Sequence, residues 1–339
     1  MSDKPNSINV FTGLIVTGSM LLFVTGTAIA SGETEVDQNN LNSMVLLVNT
    51  NTSTNTEVVT VPATNIVELS EAATREPNQI HTNDTVVKPP QKIFNNYAIY
   101  SEYKTENNTI YHVMRVDLNH AQFFVGPQRA KLAPSNFFKY YNKHQLKVDI
   151  AINGDGWRTY TDDFGKVHMP TSGLAISDGY TYSDYDNNPQ IIYFDKDNKI
   201  SIWTPDNPVS KDVKDNALNA IAYQNLLVNH GQKIVSGGDP TIITPRTVLG
   251  VTDDNHDGVY DQLILIVVDG AEYKSGMTLD QLTTMLIEQG AVIGVNMDGG
   301  TSSTMIVRDE ITNQPIIYGN DPRSTNKSVA NELGIKIIP

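Results

Sequence analysis

Residues 262–300 read "QLILIVVDGAEYKSGMTLDQLTTMLIEQGAVIGVNMDGG". After Gln262 come six apolar residues, 263–268, rich in β-branched side chains, the pattern of a strand. Thr278-Leu279-Asp280-Gln281 is a capping box, with the hydroxyl three residues ahead of the glutamine that reaches back to it. Leu279, Leu282, Met285 and Leu286 then fall on one helical face, and Gly290 supplies the stop. From 291, "AVIGVNM" resumes as a strand. The segment is therefore β–α–β. Two strands joined by a crossover helix in one sheet normally run parallel, so Asp269 and Asp298, which follow them, belong at one edge. They lie about 5 Å apart if the strands are neighbours and about 10 Å apart if one strand intervenes.

That edge has the right chemistry for a site. Open sheets hold ligands beyond the carboxyl ends of such strands. Behind Asp298 stand Gly299, Gly300, Thr301, Ser302 and Ser303, where consecutive N–H groups and hydroxyls form a nest for an oxyanion. A third strand, "KVDIAI" (147–152), stops at Asn153-Gly154-Asp155-Gly156 with the same grammar, and the three ends are expected to converge. Arg246, in "TPRTVLG", is a candidate clamp for phosphate or carboxylate. Each signal has a plainer reading: Asp-Gly marks a turn, and Arg246 has a structural partner available in Asp269.

Other chemistries fit less well. "GTSST" is not a nucleophile elbow, because Thr304 stands where the second glycine is required. No H-E-x-x-H zinc pattern occurs. "DDNHDGVYD" places Asp253, Asn255, Asp257 and Asp261 like the first part of a calcium loop, but position twelve is Ile264 and strands flank it, so a hairpin turn is the stronger reading. No metal or other cofactor is expected, with calcium at that loop the one exception to check.

The 339-residue chain has 38 acidic against 24 basic side chains and a formal net charge of −14. That sign argues against a nucleic-acid partner, whose recognition needs a basic face. The absence of cysteine excludes disulfides and thiolate metal sites and leans towards a bacterial or phage-encoded protein. Residues 10–30 are apolar and uncharged and end in Ala28-Ile29-Ala30, as a secretory signal does; their length also suits an uncleaved anchor of about 20 residues. Residues 31–92 are rich in Asn and Thr and end at Lys88-Pro89-Pro90, reading as a flexible spacer in which only "MVLLV" (44–48) is strand-like. From Asn95 the texture becomes β-rich, with one short helix in which Ser135 is the candidate N-cap and Phe137, Phe138 and Tyr141 are the buried side. The middle stretch reads as hairpins with Asp-Gly and Asp-Asn turns.

The expected fold is α+β: a mixed β-sheet core with a C-terminal β–α–β unit and helices packed on the sheet. The expected organisation is a signal peptide or membrane anchor (1–30), the spacer (31–92) and a catalytic domain (93–339).

Several motifs, in order, resemble the phosphodiester glycosidase family. They are Asn153-Gly154-Asp155-Gly156-Trp157; Pro170-Thr171-Ser172-Gly173 with Asp178-Gly179; Arg246-Thr247; Val268-Asp269-Gly270; Ser275-Gly276-Met277-Thr278-Leu279; Asn296 to Met305; and Val329-Ala330-Asn331-Glu332-Leu333-Gly334. The resemblance spans roughly residues 95 to 338, with its specific part in the last hundred. Thr301 stands where the family usually has a third glycine, and Asp155 and Trp157 replace a commoner glycine and phenylalanine.

The resemblance implies hydrolysis of a sugar-1-phosphodiester to free sugar and a phosphomonoester. In that reading Asp298, then Asp269, supplies the working carboxylate, and Arg246 with Gly299, Gly300, Ser302 and Ser303 binds phosphate. Asn153, Gly154, Asp155 and Asp178 line the sugar subsite. The implied partner is a carbohydrate phosphodiester, plausibly a wall or capsular polymer. The protein is expected to be secreted or anchored on the extracytoplasmic face, touching membrane only through its N-terminal segment. Two rivals remain: a non-catalytic glycan-binding module, which would tolerate loss of Asp298, and a metal-dependent phosphodiesterase, which EDTA would inhibit.

Overall fold

A computed structural model describes residues 7–17, 20–29, 43–49 and 56–62, and from 84 to 338 all but 127–132, 134–135, 162, 169, 185–189, 207–212, 235–236, 271–274 and 320–327. The chain divides into two compact units, Met1–Glu76 and Pro77–Pro339.

In the first unit, Ser7–Thr17, Met20–Ile29, Ser43–Asn49 and Thr56–Pro62 form an antiparallel meander in sequence order. The apolar run expected as signal or anchor is thus divided between two paired strands. Among the described residues no helix is long and apolar enough to cross a membrane. The strand-like reading of "MVLLV" matches a strand, and the flexible-spacer reading differs from the structure in two places. "MVLLV" and "TEVVTVP" are strands of this meander, as their β-branched content favours. Thr85–Ile93, which contains Lys88-Pro89-Pro90, is an edge strand of the second unit, with register shifts where the prolines fall. The second unit therefore begins ahead of residue 93. Ala30 and most of the remaining spacer lie outside the described residues.

The second unit is built on an eight-stranded sheet in the order 232–233, 225–229, 293–296, 246–252, 262–268, 110–117, 98–104 and 85–93. Arg246–Thr252 pairs antiparallel with both Gln262–Val268 and Ile293–Asn296. The two strands of the β–α–β segment therefore run parallel with one strand between them, and every recorded strand pairing in the unit is antiparallel. The crossover helix Leu279–Glu288 starts at the expected capping box: Thr278 Oγ1 accepts from Gln281 N at 3.1 Å and Gln281 Oε1 accepts from Thr278 N at 3.0 Å. Its apolar face covers one side of the sheet through Leu279, Leu282, Met285 and Leu286 with Val248, Ile264 and Ile266.

The other side of this sheet carries the main core. There Met114, Leu249, Leu265 and Val295 meet the inward residues of two five-stranded sheets. One contains 315–318, 305–308, 150–153, 332–337 and 121–126; the other contains 180–183, 175–177, 217–222, 191–195 and 200–202. Alternation along the strands decides the layers: Ile150 and Ile152 face the main core, whereas Ala151 faces the helix Phe137–Lys143 with its buried Phe137, Phe138 and Tyr141. That helix begins at Asn136 without a side-chain cap; Ser135, the expected cap, lies outside the described residues. The middle hairpins turn where Asp178-Gly179 and Asn198 predict, with positive φ at all three.

Candidate active site

Arg246 pairs in register with Val268, so Asp269 follows directly beside it, and Met297 N donates to Thr247 O at 2.9 Å on the other flank. Asp269, Arg246 and Asp298 therefore share one sheet edge, as the β–α–β segment requires. The third strand end arrives from the other sheet. Asp298 N donates to Gly154 O at 3.0 Å, and Asn153 Nδ2 donates to Asp298 O at 2.8 Å. The three ends converge, and the convergence is bonded.

Asn153 makes that joint through its side-chain amide. It is fully buried, and its Oδ1 also accepts from Thr247 Oγ1 at 2.6 Å and Thr304 N at 3.0 Å. Both ends of the amide are thus engaged by protein groups, which gives Asn153 a structural part at the joint. Gly154 is committed likewise: its N–H donates to Asn331 O at 2.9 Å. A Cβ there would come within 2.3 Å of both Asn331 Oδ1 and Ile221 Cδ1, so only glycine fits.

The anion nest expected behind Asp298 is also corrected. Gly299 N donates to Asp298 Oδ1 at 3.0 Å, Gly300 N to Pro245 O at 2.8 Å, Ser302 N to Gly299 O and Ser303 N to Gly300 O, both at 3.2 Å. Residues Gly300–Ser302 wind into one 3-10 turn, entered through the positive φ of Gly300. Those four donors are engaged by protein acceptors, three within 298–303 and one at Pro245, and the Ser302 and Ser303 side chains are buried. Thr301 alone of the turn is partly exposed. Arg246 is then the group beside Asp298 suited to an anion. Its Nη1 lies 3.8 Å from where a Gly299 Cβ would sit, and its Nη2 donates to Ile242 O at 3.1 Å.

The two carboxylates nearest the joint differ in solvation. Asp298 is half-buried and its Oδ1 accepts from Gln224 Nε2 at 3.2 Å. Asp155 is 1 % exposed; its Oδ2 accepts from Gly173 N at 2.7 Å, and its Oδ1 meets no partner among the described residues. Burial pushes the Asp155 carboxyl up to about 7, an effect the Gly173 N–H opposes and the Asp298 charge reinforces. A buried carboxyl raised towards neutrality next to a second carboxylate is an arrangement that acid–base chemistry can use.

Asp178 does not join the site. It occupies the exposed hairpin turn just after the strand Ala175–Ser177, five residues beyond Gly173, and its N–H donates to Asn219 Oδ1 at 3.3 Å. Asp269 stands on the edge but turns away from Asp298, its Oδ1 lying 3.1 Å from His112 Nε2. The Asp253–Asp261 loop is a hairpin turn: Asp253 Oδ1 and Oδ2 accept from Asp257 N and Gly258 N, both at 3.1 Å. Among the described residues, no three His, Cys, Asp or Glu side chains are grouped to hold a metal.

Sequence reasoning missed Gln224, Ser172 and His112. Gln224 follows a strand in "AIAYQNLL" with no flanking pattern to mark it, and Ser172 reaches the site only because its N–H donates to Gly156 O at 2.9 Å. His112 carried a usable signal: it is the one polar side chain in an inward series with Met114 and Val116.

A phosphodiester glycosidase family profile matches residues 147–336. Over 176 residues the chain is 27 % identical to an uncharacterised SPbeta prophage-derived protein of Bacillus subtilis (strain 168), a match covering 48 % of this chain and 25 % of that one, so the chain spans about a quarter of that relative's length. Among solved structures it is similar to the catalytic domain of zebrafish N-acetylglucosamine-1-phosphodiester alpha-N-acetylglucosaminidase, auto-inhibited by its pro-peptide. That likeness has a TM-score of 0.50 at 17 % identity, over 76 % of this chain and 83 % of that one.

Proposed function

The chain belongs to the phosphodiester glycosidase family of hydrolases, and from that premise we propose that it cleaves a sugar-1-phosphodiester to free sugar and a phosphomonoester. The observation that carries this reading is the bonded joint of the three strand ends, which sets half-buried Asp298 between Arg246 and the dry carboxyl of Asp155.

The reaction breaks the bond from the anomeric carbon to the phosphate oxygen. A phosphomonoester, with its second pKa near 6, departs with little help from a proton. The site needs a fixed positive group on the departing phosphate and a carboxylate at the developing oxocarbenium carbon. Arg246 supplies the first. Asp298 supplies the second, held by Gln224 and by the N–H of Gly299. Asp155 sits behind Asp298 with one oxygen uncommitted and acts as a neutral hydrogen-bond donor to a sugar hydroxyl or to the bridging oxygen. Asp269 steadies the same edge beside Arg246. Thr301 faces the open side of the turn, where it borders the phosphate.

The apolar N-terminal run is read as a secretory signal or anchor, which places the enzyme outside the cytoplasm. Kinship to a prophage protein supports a bacterial or phage origin. Phosphodiester-linked sugars of wall or capsular polymers are the substrates such a location offers.

Incubating the full chain with a panel of sugar-1-phosphodiesters, with and without EDTA, and following products by phosphorus and proton NMR tests the reading. Release of sugar and phosphomonoester together, lost in Asp298→Asn by about 10³-fold or more with unchanged thermal unfolding, is the expected result. Full activity in that variant removes Asp298 from the mechanism. Saturable binding without turnover would make the protein a glycan-binding module.

A further inference from the structure

Beside Arg246, on the flank away from Asp298, a row of polar side chains runs inward from the sheet edge. Lys88 Nζ lies 2.7 Å from Glu102 Oε2. Tyr100 Oη is 2.9 Å from the same oxygen and 3.0 Å from His112 Nδ1, and His112 Nε2 is 3.1 Å from Asp269 Oδ1. Tyr100, Glu102 and His112 are all buried, whereas a third of the Asp269 side chain is exposed. The groups facing the imidazole are Tyr100 and Glu102 from strand 98–104, Lys88 from the edge strand, Asp269 beyond strand 262–268, and Tyr318, whose ring centroid is 5.0 Å away.

Counting protons along this row fixes its direction. Burial alone would raise the Glu102 carboxyl, but the hydrogen bonds from Lys88 and Tyr100 outweigh it and hold the group below its ordinary value, so Glu102 is an acceptor only. Burial pushes the Tyr100 phenol far up, so it keeps its single proton. That proton belongs to Glu102, because two oxygens 2.9 Å apart with no hydrogen between them would repel. Tyr100 Oη must then accept from His112 Nδ1–H. His112 Nε2 faces a carboxylate that also has no hydrogen unless one is placed there, so a proton must lie on the Nε2–Oδ1 line. Of the two ends, an imidazole is ordinarily the stronger base by over two units.

We infer that His112 is a positioning residue that holds an Nε2–H proton against Asp269 and, through the Tyr100–Glu102–Lys88 row, fixes the orientation and charge of the carboxylate flanking Arg246. For catalysis the inference rests on the hydrolase reading above; the proton itself does not. Locking Asp269 in this way fixes the side chain that follows Val268, the strand partner of Arg246, at the edge where the phosphate is to bind.

The test uses the full chain labelled with ¹⁵N-histidine, which has seven histidines, the His112 signals being assigned by their loss in His112→Gln. The expected result is a hydrogen on His112 Nε2, directed at Asp269, that Asp269→Asn removes. A bare Nε2 in the wild type overturns the inference, whatever the activity. In turnover, glutamine can donate to Asp269 from nearly the Nε2 position, so His112→Gln should keep kcat within about tenfold. His112→Phe should lose about 100-fold in kcat with KM little changed. Equal losses in the two variants, tracking equal losses in Tm, would make His112 merely structural and overturn the inference. A wild type that turns over no sugar phosphodiester sinks the hydrolase reading and leaves the NMR result to judge the proton.

Discussion

Replacing Asp155 by asparagine should make the protein more stable than the wild type at pH 8 and less stable, by about 1 kcal/mol, at pH 4. The carboxyl is pushed from 3.8 to about 7, chiefly by burial. A folded value above the unfolded one means that, between about pH 4 and pH 7, the folded protein holds a proton the unfolded chain has released. Stability therefore falls as pH rises through that window and is flat above it. At 1.36 kcal/mol per unit over roughly three units, the fall is about 4 kcal/mol. Asparagine keeps an oxygen for the Gly173 N–H but never ionises, so the variant escapes the fall. Against this stands about 1–2 kcal/mol for an amide N–H₂ placed where a carboxyl oxygen had no partner. The net gain at pH 8 is about 2–3 kcal/mol. Urea unfolding at both pH values, followed by tryptophan fluorescence, measures it, because the two tryptophans, Trp157 and Trp203, both lie in the second unit. A difference between variant and wild type that does not change with pH would show that Asp155 ionises like a solvated carboxyl, and the burial argument would fall.

Two further substitutions probe the joint and the clamp. Asn153→Ala leaves Thr304 N, Thr247 Oγ1 and Asp298 O without their buried partner, so it should cost about 3–5 kcal/mol in the same urea assay; a loss under 1 kcal/mol would mean the strand ends are joined by other means. Arg246→Lys keeps the charge but loses the planar fork, and should raise KM for the phosphodiester by about tenfold to 100-fold with a smaller effect on kcat; an unchanged KM would take the phosphate away from Arg246.

What could be read in the sequence followed the chain's own periodicities. The capping box at Thr278, the helical spacing of Leu279, Leu282, Met285 and Leu286, and the apolar strands on either side each lie within one short window, so local rules sufficed to put Asp269 and Asp298 on one edge. The arrival of Asn153 was legible only as an analogy between strand ends. Its bonding was not, because the amide meets Thr247 from one segment and Asp298 and Thr304 from another, each about 100 residues or more along the chain. The glycine-serine run misled for a related reason. A nest is defined by where its N–H groups point, and the Pro245 carbonyl that captures Gly300 N comes from over 50 residues upstream. Gln224 was silent because it matters through a partner on another strand, whereas His112 stood out as a polar residue in an inward series without showing which partner it meets.

The difference between Asp155 and Asp298 follows from the two sheets that supply them. Asp298 leaves the eight-stranded sheet and turns outward, its carboxylate facing the exposed Gln224 side chain. Asp155 leaves the other sheet and turns under the Gly173 backbone, where water does not reach. One carboxyl is dry and near neutrality in its proton affinity and the other half-wet, the separation of environments that acid and base partners require. A phosphomonoester leaves well unaided, so a proton-bearing Asp155 matters in proportion to how poor the leaving group is. In Asp155→Asn, hydrolysis of a sugar-1-phosphodiester with an aryl aglycone should fall by less than about tenfold. An alkyl-linked diester, whose departing oxygen carries more charge, should lose about 10²-fold, within the range of general acid catalysis. Steady-state rates on such a pair of substrates decide it. Equal losses on both would mean that Asp155 grips the sugar and gives no proton to the oxygen that leaves.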